Sequence, residues 1–166
     1  GARAYGVDCG GLAEVVGSLL SQRGETVATA ESCTAGRLSS WLAQVPGASS
    51  YLMEGAVVYS NASKTRACGV DAGLIEAHGA VSEPVAIALA RGIRQRAQTT
   101  WGIGITGIAG PGGARPGKPT GTVHISVAGP QSTWHRCYQF HGDRLHVTER
   151  SAAEALYRLY RALSSS

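Results

Sequence analysis

Aromatic residues are scarce in this chain of 166 residues: three tryptophans, six tyrosines and one phenylalanine. Arg91, Arg94 and Arg96 fall close together, yet no ring interleaves with them to stack bases, so they read as a solvated helix face rather than a nucleic-acid footprint. Long apolar runs are missing too. None approaches the roughly 18 residues needed to span a bilayer, and the start, Gly1 to Gly6, has no apolar core of a signal peptide. A soluble cytoplasmic protein without membrane contact is the expectation. Cysteine is limited to Cys9, Cys33, Cys68 and Cys137, with no CxxC pair, which argues against a thiolate zinc site and a disulfide scaffold. The five histidines lack paired ligand spacing, so no metal is expected. His124 and His135 are positioned to oppose each other across a strand pair.

Glycine, at 23 residues, is plentiful, and hydrophobic content is an ordinary 43%. The length suits one domain with a real core. Leu12, Val15, Val16, Leu19 and Leu20 follow helical spacing, with Gly24 placed to stop the helix. Val27 to Ala30 reads as a buried strand, Arg37 to Gln44 as a helix, and Tyr51 to Ser60 as a second strand. Asn61 to Arg66 turns helical, and Glu83-Pro84 opens a long helix to about Gln98. Trp101 to Thr106 is a third strand. Thr120 to Ala128 and Thr133 to Phe140 form an antiparallel pair, and Glu149 to Leu163 is a terminal helix. That order implies an α/β fold, a three-layer α/β/α sandwich around a mixed five-stranded sheet. The whole chain, 1–166, reads as a single domain, with residues 1–8 expected to be a poorly ordered extension. Exposed apolar helix faces leave room for a homodimer or higher homo-oligomer.

Two phosphate-binding motifs fail on context. Gly102-Ile103-Gly104-Ile105-Thr106-Gly107 spells a dinucleotide fingerprint but lies inside a strand, whereas the fingerprint needs its glycines at a turn into a helix. Gly112 to Lys118 nearly spells a P-loop, but Pro119 stands where a hydroxyl would bind Mg²⁺. The glycines of Gly107 to Gly113 can still bring backbone close to a ligand, while Gly113 to Gly117 reads as a surface loop.

The most informative stretch is Thr29 to Gly36. An apolar strand ends in Glu31, Ser32 and Cys33 just before a helix begins. Unpaired N–H groups there can hold an anion or an oxyanion formed when Ser32 attacks a carbonyl, with Cys33 and Thr34 as natural donors. Ser32 or Thr34 can equally be a capping hydroxyl, and Cys33 either a rival nucleophile or an inert buried thiol. Glu31-Ser32, Tyr59-Ser60 and Thr106 all fall at strand ends, where α/β sheets bind ligands. Lys64 follows close behind. A lysine beside a serine can serve as general base when burial lowers its pKa.

Five motifs, Ala30 to Gly36, Val45 to Ser50, Gly55 to Asn61 with Lys64, Gly79 to Glu83 and Thr106 to Gly113, together resemble the CinA C-terminal-domain family, which includes the bacterial nicotinamide-nucleotide amidase. The likeness runs from about Leu12 to the final helix. It implies hydrolysis of nicotinamide mononucleotide, a small-molecule nucleotide, to nicotinate mononucleotide and ammonia, without a cofactor. By matching position Ser32 would be the nucleophile, Lys64 its base and Tyr59 a hydrogen-bonding support of that pair. Glu31, Cys33, Thr34, Thr106 and Gly107 would line the substrate site. Arg144, in the Gly-Asp-Arg motif, would bind the substrate phosphate. Two positions depart from the family: Ala35 replaces the first of two glycines, and Val147 stands where a second arginine is common. The alternatives are a non-catalytic nucleotide- or phosphate-binding module and a competence- or damage-associated interaction protein, with no specific nucleic acid expected.

Overall fold

In the computed structural model, residues 9–165 are described; the segment expected to form an extension, residues 1–8, lies outside them. Three strands, β1 (Val27–Glu31), β2 (Leu52–Val57) and β3 (Trp101–Gly107), run parallel. β4 (Thr122–Ala128) and β5 (Thr133–Gln139) run antiparallel, in the order β2-β1-β3-β4-β5. Helices α1 (Gly10–Arg23), α2 (Arg37–Ala43) and α6 (Arg144–Ser164) cover one face. Helices α3 (Asn61–Cys68), α4 (Ala72–His78) and α5 (Glu83–Ala97) cover the other. None of the helices among the described residues is long and apolar enough to cross a membrane.

The two faces have separate cores. Val16, Leu20, Leu38, Leu42, Leu156 and Leu159 pack on Ile103, Ile105 and Ile125. On the opposite face Val85, Leu89 and Ile93 pack on Ala28 and Ala30. Side-chain alternation along β3 divides its residues between them. The isoleucines enter the first core, while Gly102 and Gly104 face α5. A Cβ on Gly102 would sit 2.2 Å from the Ala90 carbonyl, and one on Gly104 would sit 2.6 Å from that of Ala86. The glycines that mimic a dinucleotide fingerprint are therefore there to let a helix backbone lie against the strand.

Two boundaries and one helix differ from the sequence expectation. β2 ends at Val57 rather than Ser60, because the carbonyls of Val58, Tyr59 and Ser60 turn inward to a lysine. α4 has no counterpart in the sequence reading, though Asp71 caps it, accepting from the Gly73 N–H at 2.8 Å. α6 begins at Arg144, five residues before Glu149, because Asp143 accepts from the His146 N–H at 2.9 Å. His124 and His135 meet at 2.9 Å but diagonally: His124 lies opposite Cys137, and His135 opposite Ser126. Among the described residues, the large exposed apolar side chains Met53, Val57 and Tyr59 lie on or just beyond edge strand β2, and Val15 and Leu145 lie on α1 and α6.

Candidate active site

The carboxyl ends of β1, β2 and β3 converge on a cavity of about 250 Å³. Ser32 is the first residue past β1, and its N–H donates to the Ile105 carbonyl at 2.9 Å, which pins it to the end of β3. Lys64 comes from α3, whose N-cap Ser60 accepts from the Ser63 N–H at 3.1 Å. Only 1% of Lys64 is exposed. Its Nζ donates to Ser32 Oγ at 3.2 Å and to the carbonyls of Val58 at 2.8 Å, Tyr59 at 3.3 Å and Ser60 at 3.5 Å. These carbonyls fix the amine in place. Burial lowers the Lys64 pKa from its ordinary 10.5, outweighing the upward pull of Cys33 and Cys68. A buried amine with a lowered pKa, in contact with a hydroxyl, can accept that hydroxyl's proton.

Cys33 lines the same cavity, but burial pushes its thiol up to about 12, so it stays protonated at neutral pH. Of the two roles left open for it, the inert thiol fits. The Ala35 N–H returns to the Ser32 carbonyl at 3.1 Å and the Arg37 N–H to that of Thr34 at 3.0 Å, whereas the N–H groups of Cys33 and Thr34 engage no backbone carbonyl among the described residues. Thr106 and Gly107 also line the cavity, and Thr106 Oγ1 donates to the Ala80 carbonyl at 2.9 Å. Arg144, at the start of α6, spans the mouth. It donates to the Gly110 carbonyl at 2.8 Å and to the Tyr59 hydroxyl.

Two expectations need correction. Glu31 does not line the cavity. It is fully buried, and its carboxylate accepts from Thr34 Oγ1 at 2.7 Å and from the Leu38 N–H, the Ser39 N–H and Ser39 Oγ, each at 2.9 Å. It holds the open N-terminus of α2, where the helix dipole favours negative charge. Thr34 spends its hydroxyl on Glu31 and likewise stays out of the cavity lining. The hydrogen bond expected between Tyr59 and the Ser32–Lys64 pair is made by its backbone carbonyl, while its hydroxyl meets Arg144.

The family departures also have physical readings. Ala35 is exposed, so its methyl crowds nothing, but its φ of 51° is left-handed. Val147 is fully buried in the first core, where a guanidinium would have no place, and Arg150 donates instead to the His141 carbonyl at 3.2 Å. Sequence reasoning missed Asn61, which stands one helical turn before Lys64 and lines the cavity. Its i, i+3 spacing from Lys64 is the signal that could have found it. A larger cavity of about 720 Å³ opens at the other end of the sheet, between Trp101, Trp134 and Arg158, but it holds none of the strand-end residues. Among the described residues, no group of three or more His, Cys, Asp or Glu is placed to hold a metal.

Comparison with known proteins agrees with this architecture. The family model of the CinA C-terminal domain matches residues 10–163. A CinA-like protein of Anaeromyxobacter sp. (strain K) is 51% identical over 163 residues, which are 98% of this chain and 40% of that protein. A putative competence-damage inducible protein of Symbiobacterium thermophilum is 45% identical over 168 residues, covering 96% of this chain and 39% of its own length. The chain thus spans about two fifths of these relatives. Among solved structures, the competence/damage inducible protein CihA from Agrobacterium tumefaciens has a TM-score of 0.90 at 31% identity, covering 93% of this chain and 94% of that one. A CinA superfamily protein from Klebsiella pneumoniae 700603 has a TM-score of 0.91 at 30% identity, covering 96% and 99% respectively. On the family match and these relatives together, the chain belongs to the CinA C-terminal domain family.

Proposed function

We propose that the protein is an amidase that deamidates nicotinamide mononucleotide. The observation that carries the reading is the contact between the buried Lys64 amine and Ser32 Oγ, at 3.2 Å, in the floor of a cavity with Arg144 at its mouth. Neutral Lys64 takes the Ser32 proton as Oγ bonds to the carboxamide carbon. The oxyanion is received by the N–H of Cys33, which lines the cavity and is taken by no backbone carbonyl among the described residues. Lys64 then returns its proton to the departing nitrogen as the C–N bond breaks, releasing ammonia and leaving an ester on Ser32. Water, deprotonated by Lys64, cleaves that ester to the carboxylate and restores the hydroxyl. Arg144 supplies a cation for the substrate phosphate, its present partners being a neutral carbonyl and a neutral hydroxyl.

The test is ammonia release from nicotinamide mononucleotide by the purified protein, with Ser32→Ala alongside. The expected result is release by the wild type and a rate at least about 10⁴-fold lower for the variant. Saturable binding of the nucleotide without release would leave a binding module in its place.

A further inference from the structure

The cavity of about 720 Å³ at the far end of the sheet shares no lining residue with the cavity around Ser32. Two of the three tryptophans in the chain wall it. Trp101, at the start of β3, is buried and held from two sides. Its indole N–H donates to Glu25 Oε2 at 2.6 Å, and its ring fills the space beside Gly129, where a Cβ would sit 2.4 Å from Trp101 Cζ3. Trp134, in β5, is half-buried, and the Arg158 guanidinium lies over its ring, 4.7 Å from the centroid. Both rings are therefore in place before any ligand arrives. Arg158 and Arg161 stand one turn apart near the end of α6, on the same side of the helix. Glu154 answers the charge of Arg158 at 3.5 Å, and Arg23 lies 3.7 Å from Glu25. Arg161 is exposed. It donates to the neutral Tyr157 hydroxyl at 3.1 Å, and no carboxylate pairs with it among the described residues.

We propose that this cavity is a second ligand site, one that takes a mononucleotide. The base packs on the two indoles, whose faces suit any planar ring, and the phosphate pairs with Arg161. Gln131 and Ser132, at the tip of the β4–β5 hairpin, and Ser165 line the same space with groups that can hydrogen-bond a sugar. The volume falls in the range of small-molecule sites and gives far more room than one aromatic ring needs. That favours a base carried on a sugar phosphate over a simple aromatic acid. The site uses none of Ser32, Lys64 or Arg144, so it stands apart from the amidase reading.

Isothermal titration of the whole chain tests this with AMP as the probe. Adenosine, ribose 5-phosphate and benzoate serve as controls that lack the phosphate, the base and the sugar phosphate. AMP is expected to bind at least about ten-fold more tightly than each of them. Arg161→Ala, a change at an exposed side chain, should weaken AMP about ten-fold and leave adenosine unmoved. Trp134→Leu should weaken AMP by a similar factor, and Trp134→Phe, which restores a ring, should hold it within about three-fold of the wild type. Arg144→Ala should change nothing, because that arginine lines the other cavity. No binding of AMP at millimolar concentration would overturn the proposal, as would an affinity matched by any of the three controls. Binding that survives Arg161→Ala but is lost in Arg144→Ala would place the nucleotide beside Ser32 and reject the second site. The titrations involve no turnover, so their failure is distinct from failure of the protein to release ammonia.

Discussion

The floor and the mouth of the cavity are built by different means. At the floor, Ser32 and Lys64 are buried, and the backbone places them. A strand end carries the serine, a capped helix carries the lysine, and three carbonyls converge on the amine. At the mouth, Arg144 and Tyr59 hold each other through side-chain atoms at a far more exposed surface. Backbone placement costs little conformational freedom per contact, whereas ordering a long side chain costs up to about 2 kcal/mol. The floor is preorganised for chemistry, and the mouth can rearrange around a ligand. Substitutions at the floor should therefore damage rate, and those at the mouth should damage affinity.

The sharpest break of that contrast is at the base. Lys64→Met keeps the bulk of the side chain and removes the amine. Its kcat should fall by at least about 10³-fold, read from ammonia release, with KM changed far less. The wild type should also show an activity limb rising with pH, centred below the ordinary lysine value of 10.5 because burial disfavours the charged amine. The sign for stability follows. Between the lowered pKa and 10.5 the unfolded chain holds a proton that the folded chain has released, so the Lys64 contribution to stability rises with pH across that window. Below the lowered pKa both states are protonated and the contribution is constant. Lys64→Met should erase that slope in denaturant titrations, and a slope that persists in the variant would belong to another group.

Next comes the support beneath the floor. Glu31→Ala removes one carboxylate and strands the Thr34 hydroxyl and two backbone N–H groups at the start of α2, leaving Ser39 Oγ with Thr29 alone. Losing charge-assisted bonds at a buried site should cost about 3 kcal/mol, measured by urea unfolding. Activity should fall as well, since the same turn presents Ser32. Full activity in a destabilised Glu31→Ala protein would separate the turn from the serine and weaken the contrast.

The sequence made the floor far easier to read than its support. Strands and helices followed from periodicity, and Ser32 with Lys64 from motif position. The role of Glu31 was hidden because its partners are backbone N–H groups seven and eight residues on, which no side-chain pattern marks. Tyr59 was legible as a hydrogen-bonding partner but not by which atom: a residue can serve one neighbour with its carbonyl and another with its side chain, and a sequence does not separate the two. β2 came out short for the same cause, since its last carbonyls answer the lysine rather than a strand.

At the mouth, Arg144→Ala should leave kcat nearly intact and raise KM for nicotinamide mononucleotide about 10- to 100-fold, the range expected for hydrogen bonds to a charged group. Initial rates over a wide substrate range check this, with the riboside as control. Equal damage to kcat would show that mouth and floor are coupled through Tyr59, and the division between them would blur.

The smallest effect lies in the turn between β1 and α2, beside the floor. Ala35 sits at a φ of 51° with its methyl exposed, a left-handed conformation that costs a non-glycine residue about 1–2 kcal/mol. Ala35→Gly would relieve that cost but add about 0.5–1 kcal/mol of unfolded-state entropy, for a net gain of up to about 1.5 kcal/mol in urea unfolding. If the strain also holds the neighbouring Cys33 N–H in place, the stabilised variant should lose some kcat while KM stays put. If kcat is unchanged, Glu31 alone suffices to hold the turn, and the floor owes nothing to the departure from glycine.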